Sequence, residues 1–163
     1  MLIAVISDTH LPRGSRRLPD ACLERIAAAD LLLHAGDFST LDVLRELEAI
    51  GPPVAGVHGN VDSAELRRLL PEEQVVEAGG ARIGMVHDAG ARGGRLERMR
   101  RRFGERAGLV VFGHSHMPLH EQARDGFQIL NPGSPTERRR APTHTMGLIE
   151  VTDGLARCEL VSV

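Results

Sequence analysis

The chain has 163 residues and 42% of them are hydrophobic, so residues 1–163 are expected to form a single domain with enough apolar side chains for a core. A formal net charge of −2 argues against general nucleic-acid binding, which requires a strongly positive surface. The apolar start of the chain is broken by Asp8 and lacks the basic region of a signal peptide, and no apolar run is long enough to span a membrane. We therefore expect a cytoplasmic protein that does not associate with membranes.

Strand-like and helix-like segments alternate through the first two thirds of the chain. Short apolar runs predict buried strands at 2–7, 31–33, 54–57, 83–86 and 109–113. Apolar residues at helical spacing predict helices at 19–29, 39–50 and 62–70. Ser39 is expected to cap the second of these helices, and Asp62 or Ser63 the third, with Asp62 preferred as a cap over a role as catalytic base.

The remaining elements predict a second sheet. Gly79-Gly80 indicates a tight hairpin turn between strands at 75–78 and 82–86. An Arg-rich helix near 94–103 is followed by short strand candidates at 119–123, 127–130, 145–151 and 155–161. Helices and strands in the first part, and mostly strands in the last third, predict an α/β fold with two packed sheets flanked by helices.

Each of five apolar runs leads into side chains that could bind a metal ion. In an open α/β sheet, residues beyond the carboxyl ends of the strands share one rim. Asp8 and His10 are two residues apart, as are His114 and His116, and in an extended segment such pairs point to the same side. The complete set offers two carboxylates, one amide and four imidazoles, from Asp8, His10, Asp37, Asn60, His87, His114 and His116.

This donor set is too large for one tetrahedral ion and predicts two ions that share a carboxylate. Asp37, which follows Gly36 at a strand end, is the expected bridge. Oxygen and imidazole donors without thiolate suit divalent transition metals, namely Mn, Fe, Ni, Co or Zn, and do not choose among them. We take two Mn ions as the first expectation.

The order of the motifs resembles the calcineurin-like metallophosphoesterase superfamily. The matching segments are Asp8-Thr9-His10, Gly36-Asp37, Gly59-Asn60-Val61-Asp62, His87, Gly113-His114-Ser115-His116 and Asn131-Pro132-Gly133-Ser134. The short length and the closing Asn-Pro-Gly-Ser resemble the small bacterial and archaeal phosphodiesterase branch. The resemblance implies a four-layer α-β-β-α sandwich of two mixed β-sheets.

The resemblance also implies the two ligand sets and the reaction. One metal ion would be held by Asp8, His10, Asp37 and His116, and the other by Asp37, Asn60, His87 and His114. A hydroxide that bridges the ions would attack phosphorus and break a P–O bond, with Asp37, Asn60 and His87 as catalytic residues. The expected substrate is a small phosphoester, and a phosphodiester is favoured over a monoester.

Two positions depart from the pattern of the superfamily. Larger members have a histidine directly after the Gly-Asn pair, where it can protonate the leaving oxygen, but this chain has Val61. The branch commonly continues its single-His motif with Gly and His, but here His87 is followed by Asp88 and Ala89. The general acid is therefore open, and good leaving groups should be favoured unless water or Asp88 serves.

Other polar residues have competing interpretations. Asp88 is a candidate substrate contact, and Arg138, Arg139 and Arg140 could hold a second phosphate or a nucleotide. A solvated loop is the alternative for the three arginines. His34, at the end of an apolar run, is expected to be buried or to support a ligand rather than to bind metal itself.

Three functions from different classes remain open. The first is the two-metal phosphodiesterase. The second is a scaffold without catalysis, because the small subunit of retromer, a eukaryotic trafficking complex, resembles this branch. The third is a nuclease, although the net charge of −2 does not favour nucleic acid as a partner. A homo-oligomer is compatible with the sequence.

Overall fold

Two five-stranded β-sheets make up the centre of the computed structural model, which describes residues 1–163. The elements in chain order are β1 (Leu2–Ile6), α1 (Asp20–Ala27), β2 (Leu31–His34), α2 (Leu41–Glu48), β3 (Val54–Gly56), α3 (Ala64–Leu69), β4 (Glu73–Ala78), β5 (Ala81–Val86), α4 (Arg95–Phe103), β6 (Leu109–Val111), β7 (Leu119–Gln122), β8 (Gln128–Asn131), β9 (Thr145–Thr152) and β10 (Leu155–Ser162). The strand orders are β10-β9-β1-β2-β3 and β4-β5-β6-β8-β7. β1, β2 and β3 are parallel to one another, as are β5, β6 and β8, while β4, β7, β9 and β10 pair antiparallel with their neighbours.

Side chains alternate between the two faces of each sheet, and this alternation builds three apolar layers. Ile3 and Val5 of β1 belong to one buried cluster with Ile83 and Met85 of β5, between the sheets. The intervening positions of β1 belong to a second cluster, together with buried side chains of α1, α2 and α3. A third cluster joins α4 to the other face of the second sheet. The layers therefore run α-β-β-α, which confirms the predicted fold.

The hairpin predicted from the sequence is confirmed, whereas the predicted helix caps are partly wrong. Gly79 and Gly80 form the turn between β4 and β5 with φ of 57° and 84°, a conformation that glycine adopts freely. The predicted cap Ser39 is wrong, because α2 is preceded by Thr40 and Ser39 has a φ of 98°. Ser63 caps α3 by accepting from Leu66 N at 3.3 Å. None of the four helices has the length and apolar character needed to cross a membrane.

Candidate metal centre

All seven predicted ligands follow the carboxyl end of a parallel strand. Asp8 and His10 follow β1, Asp37 follows β2, Asn60 follows β3, His87 follows β5, and His114 and His116 follow β6. Two groups of ligand atoms lie within 4.8 Å of one another, one from Asp8, His10 and His116 and one from Asp8, Asp37 and His87. Both sheets therefore contribute to one cluster of donors at their shared rim.

The backbone of the ligand loops is left-handed rather than extended. Five of the seven predicted ligands have positive φ, namely Asp8 (56°), His10 (46°), Asp37 (61°), His114 (66°) and His116 (57°). The sequence interpretation of two extended segments is therefore wrong, although their side chains do converge. A left-handed conformation costs a non-glycine residue about 1 kcal/mol, and such strain is concentrated at functional sites.

Backbone carbonyls orient two of the imidazoles. His87 Nδ1 lies 2.7 Å from the carbonyl oxygen of Ala35 and donates to it. His116 Nδ1 donates to the carbonyl oxygen of Glu137 at 2.6 Å. In the neutral rings, the lone pair of Nε2 then points into the centre. Burial, with the charges nearby, lowers the pKa of His116 to about 4, so this ring is neutral at pH 7.

The Nε2 atoms of His116 and His87 lie close to other atoms that can accept a hydrogen bond or bind a metal ion. His116 Nε2 lies 3.4 Å from Asp8 Oδ1 and 3.1 Å from His10 Nε2. His87 Nε2 lies 3.3 Å from Asp37 Oδ2. Lone pairs that approach one another repel unless a proton or a cation lies between them. This arrangement fits coordination of a positive ion by all of these atoms.

Asp8 carries an unpartnered oxygen inside the protein. Its Oδ1 accepts from His114 N at 3.2 Å, but its Oδ2 is buried and has no hydrogen-bond partner. Burial raises the pKa of Asp8 to about 7, because a carboxylate with one unpartnered oxygen is poorly stabilised in the interior. A divalent ion bound to Oδ2 would remove this penalty, so the residues present fit a metal.

Asp37 lies between the two sides of the centre. Its Oδ1 accepts from Val61 N at 3.0 Å, and its Oδ2 lies 3.3 Å from His87 Nε2 and 3.7 Å from His10 Nε2. Burial alone would raise the pKa of Asp37, but the hydrogen bond and charge of His87 outweigh it and lower the pKa to about 2. The same pair raises the pKa of His87 despite its burial. Asp37 therefore lies between donors of both predicted ligand sets, and its role as a bridge between two ions stays a prediction.

Asn60 and His114 form the more exposed side of the centre. Asn60 Oδ1 lies 3.2 Å from His87 Nε2 and 3.0 Å from His114 Nδ1. The preceding Gly59 has no room for a side chain, because a Cβ there would overlap the Asp37 carboxylate. The Gly-Asn pair therefore allows the loop after β3 to approach Asp37 closely.

Asp62 connects two of the ligand loops, a role that the sequence interpretation missed. It is 4% exposed and accepts from the backbone N–H groups of Asp37 (3.1 Å), Ser39 (2.7 Å) and Gly59 (2.7 Å). The predicted helix cap at Asp62 is therefore wrong. The only sequence signal for this role was its place two residues after Asn60 in the Gly-Asn-Val-Asp segment.

The closing Asn-Pro-Gly-Ser motif connects two further ligand loops. Asn131 donates to Gly113 O at 2.8 Å, in the segment that leads to His114. Ser134 Oγ donates to Asp8 O at 2.8 Å and accepts from Glu137 N at 2.8 Å. The motif therefore orients the loops after β1 and β6 by side-chain contacts, whereas its sequence alone indicated only a turn.

Comparison with known proteins identifies the family. A family model described as the calcineurin-like phosphoesterase superfamily domain matches residues 1–154. The chain belongs to the calcineurin-like phosphoesterase superfamily. A probable metallophosphoesterase from Methanothermobacter thermautotrophicus is 36% identical over 149 residues, which cover 91% of this chain and 85% of that protein.

Solved structures share the fold of this superfamily member. Vps29 from Entamoeba histolytica complexed with Zn²⁺ is 25% identical with a TM-score of 0.76, and the match covers 99% of each chain. A structure described as a novel archaeal phosphodiesterase is 21% identical with a TM-score of 0.72, and the match covers 99% of this chain and 100% of that one. The expected family and fold are both confirmed.

His34 supports the centre of this phosphoesterase fold without reaching into it. The ring is fully buried and stacks on Phe38 with 3.5 Å between ring centroids. His34 Nδ1 accepts from Gly36 N at 3.2 Å, so Nε2 carries the proton toward Thr9 Oγ1 at 3.1 Å. The predicted buried supporting role of His34 is confirmed.

The candidate substrate contacts lie in different places. A cavity of about 300 Å³ opens beside Asn60, His87 and His114. Its other polar walls are formed by His58, Arg67, Glu72, Asp88 and Arg102. Asp88 Oδ1 accepts from Gly90 N at 2.7 Å, which holds its own loop. The three consecutive arginines at 138–140 do not line this cavity and are exposed.

Proposed function

We propose that this protein is a dinuclear metal-dependent phosphodiesterase. The observation that carries the proposal is the orientation of the donors. Backbone carbonyls accept the Nδ1 protons of His87 and His116, so that Nε2 of each ring faces the centre, while the buried Asp8 Oδ2 has no partner. If the imidazole Nε2 atoms and Asp8 Oδ2 had only a structural role, they would be paired with hydrogen-bond donors. The Zn²⁺ bound by the similar Vps29 supports metal binding at this kind of site.

The proposed ligand sets follow the two sides of the centre. Asp8, His10, Asp37 and His116 would hold one ion, and Asp37, Asn60, His87 and His114 the other. Two divalent cations held there would lower the pKa of a bound water and neutralise charge on phosphoryl oxygens. The protein orients the imidazoles through Ala35 O and Glu137 O, and it holds the backbone of Asp37 and Asp8 through Asp62 and Ser134.

The preference for diesters with acidic leaving groups rests on Val61. Val61 is 47% exposed and follows Asn60, at the position from which a histidine could protonate the leaving oxygen. Valine has no proton to donate, so the leaving group must depart with little assistance. The fold shared with an archaeal phosphodiesterase agrees with this preference. We propose Mn²⁺ as the metal ion.

The experiment compares diester and monoester hydrolysis by metal-loaded protein. We expect Mn²⁺-loaded protein to hydrolyse bis(p-nitrophenyl) phosphate faster than p-nitrophenyl phosphate. His116→Asn should lower kcat/KM at least about 100-fold, because a metal ligand is lost. His120→Asn is the matched control, because His120 is exposed and the only side-chain hydrogen bond of its ring is to Gln128. A protein that contains two ions per chain and hydrolyses no diester would contradict the proposal.

The second candidate function is a metal-binding scaffold for a partner protein. The similarity over 99% of both chains to Vps29, a vacuolar protein sorting protein, favours it. The two functions separate in the same experiment, because a scaffold would retain its metal ions and show no turnover with any phosphoester. The unpaired Asp8 oxygen is explained by either function, so turnover and not metal content decides between them.

A further inference from the structure

Arg67 on α3 holds two backbone carbonyls of the loop that carries Asn60. Its Nε donates to Asp62 O at 2.9 Å, and its Nη2 donates to Asn60 O. No backbone N–H donates to either carbonyl. The guanidinium therefore binds the Gly-Asn-Val-Asp segment on both sides of Val61, with two hydrogen bonds from one rigid planar group.

The same segment is held by Asp37 through the amide group between these two carbonyls. Val61 N donates to Asp37 Oδ1 at 3.0 Å. Asn60 O and Asp62 O thus contact Arg67, while the N–H between them contacts a carboxylate of the metal centre. The backbone on either side of Val61 is therefore fixed by three hydrogen bonds to two side chains.

The position of α3 places Arg67 at the exposed side of the centre. Leu66 is fully buried among apolar side chains of β1, α1 and α2, which anchors the helix. Arg67 is exposed, and its side chain lines the cavity that opens beside Asn60, His87 and His114. The helix therefore carries the guanidinium from the apolar layer to the ligand loop after β3.

We propose that Arg67 is a positioning residue that fixes the backbone of Asn60, so that the Asn60 side-chain oxygen stays between two imidazoles. Asn60 Oδ1 lies 3.2 Å from His87 Nε2 and 3.0 Å from His114 Nδ1. Groups that support a ligand in this way contribute roughly 10–100-fold to metal affinity. The hydrogen bonds of Arg67 do not reach the loop after β1, so its effect is confined to the ion held with Asn60. The inference rests on the two ligand sets of the proposed function.

Calorimetric titration of metal-free protein with Mn²⁺ tests this role. Arg67→Met has a long side chain without donors, so it should weaken one of the two ions about tenfold or more and leave the other within about twofold. Arg68→Met is the matched control, because it removes the same charge from the next residue of α3, which is exposed and does not line the cavity. Both of its affinities should stay within about twofold. Arg67→Lys should recover part of the lost affinity, because an ammonium group can still donate to a carbonyl.

A double variant tests whether Arg67 acts through Asn60. Asn60→Ala removes the ligand itself, so adding Arg67→Met to it should change the Mn²⁺ affinities by no more than about twofold. Hydrogen exchange of Val61 N–H in the presence of a chelator gives a readout without metal. Exchange should be about threefold faster or more in Arg67→Met and unchanged in Arg68→Met.

Three results would overturn the inference while leaving the proposed function intact. The first is wild-type affinity for both ions in Arg67→Met, and the second is an additive loss in the double variant. The third is slower diester hydrolysis by Arg67→Met with unchanged metal affinity and unchanged exchange at Val61, which would make Arg67 a substrate contact. Failure of the wild type to bind two ions would instead overturn the proposed function.

Discussion

Replacement of Asp62 by alanine should destabilise the protein and disturb the metal centre together. The carboxylate is buried and accepts three backbone hydrogen bonds, two at Oδ2 from Asp37 and Gly59 and one at Oδ1 from Ser39. These bonds connect the loop after β2 to the loop after β3. Without the carboxylate, three N–H groups in a buried environment lose their acceptor, and nothing else holds Asp37 N in place.

The size of the effect follows from the number and type of these bonds. A hydrogen bond to a charged group contributes roughly 1.5–3 kcal/mol, and such contributions are not additive within one cluster. We therefore expect Asp62→Ala to lower the free energy of unfolding by about 3–5 kcal/mol. Asp62→Asn can keep the two bonds at one oxygen but turns a donor toward Ser39 N, so its loss should be about 1–2 kcal/mol.

Urea unfolding in the presence of a chelator measures this effect without a contribution from bound metal. Ser63→Ala is the control, because it removes the adjacent cap of α3 and should lower the free energy of unfolding by only about 1 kcal/mol. Elemental analysis after dialysis should show reduced metal content for Asp62→Ala and normal content for Ser63→Ala. An Asp62→Ala protein no less stable than Ser63→Ala would refute the reasoning.

Three further predictions concern the centre itself. Because burial raises the pKa of Asp8 to about 7, its carboxyl group stabilises the metal-free fold at low pH, and this contribution is lost as the pH rises through 7. Asp8→Asn should therefore leave the metal-free protein at least as stable as the wild type at pH 8 while removing stabilisation by Mn²⁺, and a lower metal-free Tm would contradict this. Asp37→Asn should weaken the binding of both metal ions together. Loss of only one ion per chain in elemental analysis would count against Asp37 as the bridging ligand. For the wild type, the logarithm of the hydrolysis rate should fall steeply as the pKa of the leaving group rises. Val61→His should make this dependence weaker, because histidine can donate a proton to the leaving oxygen. An equally steep slope would show that no proton is delivered from position 61.

The layered fold and the composition of the centre could be predicted from the sequence because both depend on short-range patterns. Apolar runs of strand length predicted the strands, and Gly79-Gly80 predicted the hairpin. Potential ligands stand directly after the strands, so parallel pairing brings Asp8 and Asp37 to one rim, and packing of the second sheet on the first adds His87. The resemblance to the superfamily rested on the same short segments.

The conformation and support of the ligands were decided by tertiary structure. The carbonyl groups that orient His87 and His116 lie 52 and 21 residues away along the chain. Asp62 had the sequence pattern of a helix cap, yet it binds amides 23 and 25 residues before it. Arg67 and Arg68 are adjacent residues of the same type, yet only Arg67 contacts the carbonyls of the loop after β3. Local sequence determines which side chains follow each strand, but hydrogen bonds between distant loops determine where their protons and lone pairs point.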